Sequence, residues 1–186
     1  GLRGNTVYDI YVDNAGCLWI ATYTNGITII DPFSPEIIRT RHEYREPNSL
    51  INNHVNVIFE DSDGDLWYGT NNGISVYDTR KQRWKHFLDN QENKAVILCF
   101  CEDKDGNIWT GGYGIGAFRI DKQSGKIHSL LHQKGANASG TFDAYHIYAM
   151  YADDENLWLG SLDKSMIQYN LRTKSFNYHS IEAIGD

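Results

Sequence analysis

Short apolar runs alternate with short polar runs along the chain, and the polar runs are rich in Gly, Asn and Asp. Four apolar runs share one character, with β-branched and aromatic residues at both odd and even positions. Such a run predicts a β-strand that is buried on both faces. The four runs lie at 7–12, 55–60, 97–102 and 147–152. No segment shows sustained helical periodicity, so the pattern predicts an all-β chain.

Each of these runs opens a longer repeat. The next element reads LWIAT, LWYGT, IWTGG or LWLGS, and a turn, a third apolar run and a more amphipathic fourth run follow it. The fourth runs lie at 37–44, 84–87, 126–131 and 176–179. Repeats of roughly 40–50 residues with four strands each are typical of a β-propeller. We therefore predict one domain over 1–186, with four-stranded antiparallel blades at about 7–45, 55–88, 96–131 and 147–180, as part of a propeller.

The polar turn before each second strand raises the question of a metal site, because it is rich in aspartate. In DSDGDLW (61–67), however, Gly64 precedes the third aspartate, and position twelve of the loop is Asn72 rather than an acidic residue. Both features depart from a calcium-binding EF-hand loop. Lys104 in the third copy would also repel a cation. We predict no metal and no cofactor.

A structural role explains the turn better. Asp at the first position of a turn bonds its own backbone, and Gly adopts positive φ without steric cost. The aspartates at this position are Asp13, Asp61, Asp103 and Asp153, and the fourth copy (DDENLW) is one residue shorter and lacks the glycine. The tryptophan that follows is large enough to fill the space between adjacent sheets. These tryptophans are Trp19, Trp67, Trp109 and Trp158.

The repeat resembles a known family. The pattern D-x-x-G-x-[LI]-W-x-[GA]-T, then G-[IL]-x-x-[YI]-D, and the lead-in NSLINNHV (48–55) are similar to the two-component regulator propeller repeat. The resemblance implies the periplasmic sensor region of a bacterial, Bacteroides-type hybrid two-component histidine kinase that senses oligosaccharides. Kinase activity, a signal peptide and a membrane helix would then lie outside this sequence.

The resemblance also bears on assembly, because the family's sensor regions are much longer than 186 residues. Every predicted blade is contiguous, so no strand is held over to close a ring. We expect terminal blades with exposed apolar faces, and self-association of chains through those faces. An open arc of four blades is the alternative.

Charge and composition exclude several partners. The net charge of −7 and pI near 5.4 argue against nucleic acid and against direct contact with an anionic membrane. No apolar run is long enough for a membrane span. The three cysteines lack metal-ligand spacing, and Cys99 and Cys101 are expected to be small buried hydrophobes.

No catalytic constellation is evident, so binding is the better prediction. In a propeller the turns between strands two and three share one face with the linkers between blades. A neutral sugar needs aromatic platforms and hydrogen-bonding side chains, which this face would supply. The candidates are Tyr23, Asn25, His54, Asn71, Asn72, Tyr113, His146, Asp163 and Lys164. Tyr23 and Tyr113 rank first as bulky residues at near-equivalent positions.

Two alternatives remain open at this point. The three asparagines of the candidate set could be turn residues of positive φ with no ligand role. The chain could also be a propeller enzyme, a hydrolase or lyase acting on glycans, because propellers bring distant residues together.

Overall fold

The described residues form sixteen β-strands arranged in four sheets. The computed structural model describes residues 6–89, 94–135 and 140–180. The first sheet contains β1 (Val7–Val12), β2 (Leu18–Thr22), β3 (Ile27–Ile30) and β4 (Ile37–Thr40). The second contains β5 (Val55–Glu60), β6 (Leu66–Thr70), β7 (Gly73–Asp78) and β8 (Arg83–Phe87). The third contains β9 (Val96–Glu102), β10 (Ile108–Tyr113), β11 (Gly116–Ile120) and β12 (Ile127–Ser129), and the fourth β13 (Ile147–Ala152), β14 (Asn156–Ser161), β15 (Ser165–Asn170) and β16 (Phe176–His179).

Each sheet is built from four consecutive strands in sequence order. The strand pairs are antiparallel, as expected for neighbours joined by short turns. The predicted all-β class and the four four-stranded antiparallel blades of a propeller are confirmed. The chain divides into two compact units, Gly1–Ile97 and Leu98–Asp186. The first unit holds the first two sheets, and the second holds the fourth sheet and the third beyond the start of β9.

Two details of the strands differ from the predictions. The run at 37–44 forms a strand only as far as Thr40, because His42 leaves the sheet: its backbone N–H donates to Asn53 Oδ1 and its ring contacts the Leu50 carbonyl. The first strands are also not all buried on both faces. β1 and β13 are largely exposed, with Tyr8 and Tyr151 among their exposed side chains.

The aspartates lie at the first position of each turn and also accept a bond from the tryptophan of the same sheet. The indole Nε1 donates to the aspartate Oδ2 at 2.7 to 2.9 Å in all four sheets. Oδ1 of Asp61, for example, accepts the backbone N–H groups of Asp63 and Asp65. Both oxygens of this carboxylate therefore already accept hydrogen bonds from the turn and from the tryptophan. No group of His, Cys, Asp and Glu side chains suited to a metal occurs in the described ranges.

The tryptophan of the first sheet in each unit packs against a tyrosine of the next sheet. In the first unit Trp19 lies 6.0 Å from Tyr68, and in the second Trp109 lies 5.8 Å from Tyr169. Trp158, in the last sheet, is only half-buried. Cys99 and Cys101 are buried free thiols, and burial raises the pKa of each to about 12.

Candidate functional site

A backbone hydrogen bond ties the turn between the second and third strands of a sheet to the linker that follows. Within the first unit, Gly26 N–H donates to the Asn53 carbonyl at 2.9 Å. In the second unit, Gly116 N–H donates to the Tyr145 carbonyl at 2.8 Å. Gly26 has φ of +69°, and a Cβ there would lie 2.3 Å from the Thr40 carbonyl oxygen, so glycine is required. We call the turn and the linker that are connected by this bond a joint. The bond holds both segments at one end of the sheet, where candidate residues of each segment lie.

At the joint of the first unit, Tyr23 packs edge-on against His54. The ring centroids are 4.1 Å apart at an interplanar angle of 72°, and 45% of Tyr23 is exposed. The His54 carbonyl accepts a hydrogen bond from the backbone N–H of Asn71, so Asn71, another candidate residue, lies beside His54. His54 Nε2 is buried and has no hydrogen-bond partner in the described chain. The structure therefore gathers Tyr23, His54 and Asn71.

The joint of the second unit repeats this arrangement. Tyr113 packs edge-on against His146, with centroids 4.5 Å apart at 64°. The two pairs occupy equivalent positions, because each tyrosine lies four residues after its sheet's tryptophan and each histidine immediately precedes a first strand. The exposed fraction of Tyr113 is 55%. Two repeats thus present the same half-exposed aromatic pair.

Asp163 adds a carboxylate to the second pair. Its Oδ1 lies 3.6 Å from His146 Nδ1, and it accepts hydrogen bonds from Tyr145 N–H and Ser161 Oγ at 3.1 and 2.9 Å. Burial acts to raise the pKa of Asp163, but these hydrogen bonds outweigh it and the pKa is lowered. Asp163 is therefore ionised near neutral pH and can accept from hydroxyl or imidazolium groups.

Lys164 forms an ion pair with Asp143 that the sequence does not predict. Its Nζ lies 3.0 Å from Asp143 Oδ2, and Tyr178 O–H donates to the other oxygen of Asp143 at 3.1 Å. The hydrogen bond from Lys164 is the main cause of the lowered pKa of Asp143. Asp143 and Tyr178 are separated from Lys164 in sequence and carry no repeat signature, so no pattern could have paired them.

The three asparagines of the candidate set form local hydrogen bonds. Asn25, Asn71 and Asn72 all lie outside the positive-φ region, so the interpretation as positive-φ turn residues is wrong. Asn25 bonds Thr22 and Thr24, and Asn71 Oδ1 accepts from Asn56 Nδ2 at 2.9 Å. Asn72 N–H donates to Thr70 Oγ1, while its Oδ1 is buried without a partner in the described chain. Among the described residues, neither Asn25 nor Asn72 is hydrogen-bonded to Tyr23 or His54.

Comparison with known proteins identifies the repeat. The family described as "two component regulator propeller" matches residues 1–24, 49–72 and 91–114. Three segments of this chain match the two-component regulator propeller repeat. Each match covers a first strand, the aspartate turn and a second strand, which are the parts that the hydrogen bond between tryptophan and aspartate connects. The fourth repeat, with its shortened turn, is not matched.

Two proteins that are similar to this chain are named as signalling proteins. The chain is 27% identical over 195 residues to histidine kinase P4 of Formosa agariphila, covering 94% of this chain and 13% of that kinase. The extracellular domain of the hybrid two-component system BT3049 of B. thetaiotaomicron superposes with a TM-score of 0.78 at 20% identity, over 97% of this chain and 25% of that domain. The chain thus spans a small part of each.

The same fold also occurs in an enzyme. Virginiamycin B lyase of Staphylococcus aureus superposes with a TM-score of 0.72 at 19% identity, over 96% of this chain and 57% of the lyase. At this level of identity the likeness shows the propeller fold alone. The described residues contain no helix long and apolar enough to cross a membrane.

Proposed function

We propose that this two-component regulator propeller is a non-catalytic, ligand-recognising part of the periplasmic region of a hybrid two-component signalling protein, and that its ligand is an oligosaccharide. The likeness to an extracellular domain of such a system supports the location. The repeats and the histidine kinase relative support the signalling role.

The observation that carries the ligand assignment is the repeated Tyr–His pair. Tyr23 and Tyr113 leave about half of their surface open beside a histidine at equivalent joints. An open aromatic face stacks on the apolar face of a sugar ring, and nearby polar groups bond its hydroxyls. In the second unit the Asp163 carboxylate supplies such a group beside His146.

The joint offers a route by which occupancy could alter the chain. The turn carrying Tyr23 is bonded through Gly26 N–H to the linker carbonyl of Asn53, one residue before His54. A ligand that contacts both Tyr23 and His54 would therefore change the position of the linker that leads into β5, the first strand of the next sheet in this unit. Binding would shift the population of linker conformations rather than create a new contact.

A glycan panel tests the proposal directly. The chain is incubated with neutral oligosaccharides, and both the melting temperature and the glycan products are measured. We expect a melting-temperature rise with at least one glycan, no change in that glycan, and loss of most of the rise in Tyr23→Ala or Tyr113→Ala. Tyr44→Ala is the matched control, because Tyr44 is 82% exposed and lies in the linker away from the Tyr–His pair.

The likeness to a propeller lyase makes a glycan hydrolase or lyase the second candidate. Formation of cleaved or unsaturated products in the same incubation would establish it and reject the sensor assignment. A panel with neither a melting-temperature rise nor product would reject oligosaccharide recognition by this chain.

A further inference from the structure

The second unit contains a cavity of about 190 Å³ that is separate from the Tyr–His pair. Its floor is apolar and buried, formed by Trp109, Leu130, Phe142, Tyr169 and Phe176. Its remaining lining side chains are polar or cationic, namely Arg119, His128, Gln133, Lys134 and Lys174. The described residues that line it include no carboxylate, although the chain as a whole carries a net charge of −7.

Strand register explains how the cationic groups come to face the cavity. Trp109 on β10 pairs with Arg119 on β11, and Arg119 pairs with His128 on β12. Paired residues of neighbouring strands project from the same face of a sheet. The three side chains therefore form a row across the third sheet, from the buried indole to the exposed imidazole. Tyr169 and Phe176, a cross-strand pair of the fourth sheet, form the other side.

The corresponding space in the first unit is filled differently. There the row across the sheet is Trp19, Ile29 and Ile38, so isoleucine stands where Arg119 stands in the second unit. The residue equivalent to Phe176 is Trp84, whose ring lies 5.1 Å from Tyr77 and 5.5 Å from Tyr68. A larger aromatic and an apolar row thus occupy the space in one unit, while Phe176 and Arg119 leave it open and charged in the other.

The cations that line the cavity have carboxylates in their surroundings, Asp121 near Arg119 and Asp103 and Asp105 near Lys174, but these lie outside the lining. In the described part of the chain, none of Arg119, Lys134 and Lys174 forms a salt bridge. Lys174 instead donates to the Leu171 carbonyl and lies 6.0 Å from the centre of the Tyr169 ring. Burial, and then the charge of Arg119, lower the pKa of Lys174, while Asp103 and Asp105 act in the opposite direction from outside the lining. An anion between the two cations would relieve their repulsion.

We propose that this cavity binds the oxyanion group, carboxylate or sulfate, of a small ring compound such as an acidic monosaccharide. The guanidinium of Arg119 has the planar fork that pairs with such a group through two hydrogen bonds, and the aromatic floor accepts the ring. Drug-sized ligands occupy pockets of roughly 300–1,000 Å³, so this cavity holds one ring at most. The site is independent of the oligosaccharide site proposed above.

The test compares an acidic sugar with its neutral counterpart. Binding of sodium glucuronate, glucose and sodium sulfate to the whole chain is measured by titration calorimetry at constant ionic strength. We expect saturable binding of glucuronate and none of glucose. Sulfate binding as tight as that of glucuronate would show that a free inorganic anion suffices and would overturn the requirement for a ring.

Substitutions taken from the first unit locate the site. Arg119→Ile copies Ile29 and removes the charge, while Phe176→Trp copies Trp84 and fills the cavity without changing charge. Each should weaken glucuronate binding at least tenfold, and Phe176→Trp should retain or raise the melting temperature, which shows that it folds. Arg172→Gln is the matched control, because Arg172 lies in the same turn as Lys174 but does not line the cavity. Equal loss in Arg172→Gln, or undiminished binding in Phe176→Trp, would overturn the proposal.

Discussion

The indole Nε1 of Trp67 donates a 2.9 Å hydrogen bond to Oδ2 of Asp61, and both residues are buried, with 2% and 4% of their surfaces exposed. The other carboxylate oxygen holds the backbone of the turn through Asp63 N–H and Asp65 N–H. One side chain therefore satisfies three donors, two of which set the turn and one of which fixes the ring. The same bond recurs between Asp153 and Trp158, but there both residues are half-buried.

This difference predicts unequal costs of removing the carboxylate. Asp61→Ala leaves a buried indole N–H without its acceptor, and each such buried group costs about 1–3 kcal/mol. Asp153→Ala exposes its donors to water, so the cost should be clearly smaller. Urea unfolding of both variants measures the two free energies. An Asp153→Ala loss equal to that of Asp61→Ala would show that burial does not set the strength of this bond.

A second prediction concerns the small residue at the end of the second strands. A Cβ added at Gly111 would lie 2.7 Å from Ile147 Cβ and 2.8 Å from Met150 Cε, whereas at Gly160 the nearest atom, Ala149 Cβ, is 3.4 Å away. Overpacking of a core costs typically about 1–3 kcal/mol. Gly111→Ala should therefore destabilise the chain by about that amount, and Gly160→Ala should change little.

Thermal unfolding distinguishes the two alanine variants. Neither Gly111 nor Gly160 has a positive φ, so backbone strain contributes to neither result. Equal melting temperatures for the two variants would mean that β13 can move away from β10 without cost.

The sequence was sufficient for the fold because its signals are local and repeated. Trp19, Trp67, Trp109 and Trp158 mark each second strand, and the turn chemistry before them is readable from single residues. The sequence does not show that β1 and β13 are the exposed first strands, since their composition matches that of the buried first strands.

The candidate site was predicted only in part. The sequence places Tyr23 and Tyr113 at near-equivalent turns and the two histidines in the linkers between blades, but it does not show that they pack in pairs. Asp143 beside Lys164, and Arg119 in its cavity, depend on register and on packing between sheets of one unit. No short sequence pattern encodes those relationships.

The ion pair between Asp143 and Lys164 predicts a dependence of stability on acid. The pKa of Asp143 is lowered in the folded chain, first because Lys164 Nζ donates to it, so its contribution is present above the ordinary Asp pKa and is lost as pH falls through the lowered value. Asp143→Asn should lose stability at neutral pH and lose less on acidification than the parent chain. Urea midpoints at pH 7 and pH 3 provide the comparison.

Lys164→Gln is the companion variant for this experiment. It should bring the pKa of Asp143 closer to its ordinary value and reduce the difference between the two pH values in the same direction. An acid response of Asp143→Asn identical to that of the parent chain would contradict the assignment.

Self-association is the fourth prediction. In the second unit, an open apolar cavity of about 580 Å³ lies against the fourth sheet and includes Tyr151, Leu162 and Met166. In the first unit, Ile10 is 60% exposed on β1. We propose that chains associate through such faces, because contiguous exposed apolar surface favours burial against a partner.

Sedimentation velocity over a range of concentrations measures this association. Leu162→Lys and Ile10→Lys should each reduce the fraction of dimer or larger species. Phe33→Lys serves as a control, because Phe33 is 88% exposed but lies in a turn outside both faces. A parent chain that sediments as a monomer at all concentrations would refute the proposal.

Each joint between turn and linker contains one hydrogen bond that uses main-chain atoms on both sides: Gly26 N–H to the Asn53 carbonyl, Gly73 N–H to the Ala95 carbonyl and Gly116 N–H to the Tyr145 carbonyl. The side chains at these linker positions are an amide, a methyl group and a phenol, yet the bond is the same. Mutation can therefore change recognition at this end of the sheets without dismantling the scaffold. A duplicated repeat therefore keeps this backbone hydrogen bond, while its linker side chains can change to recognise a different ligand.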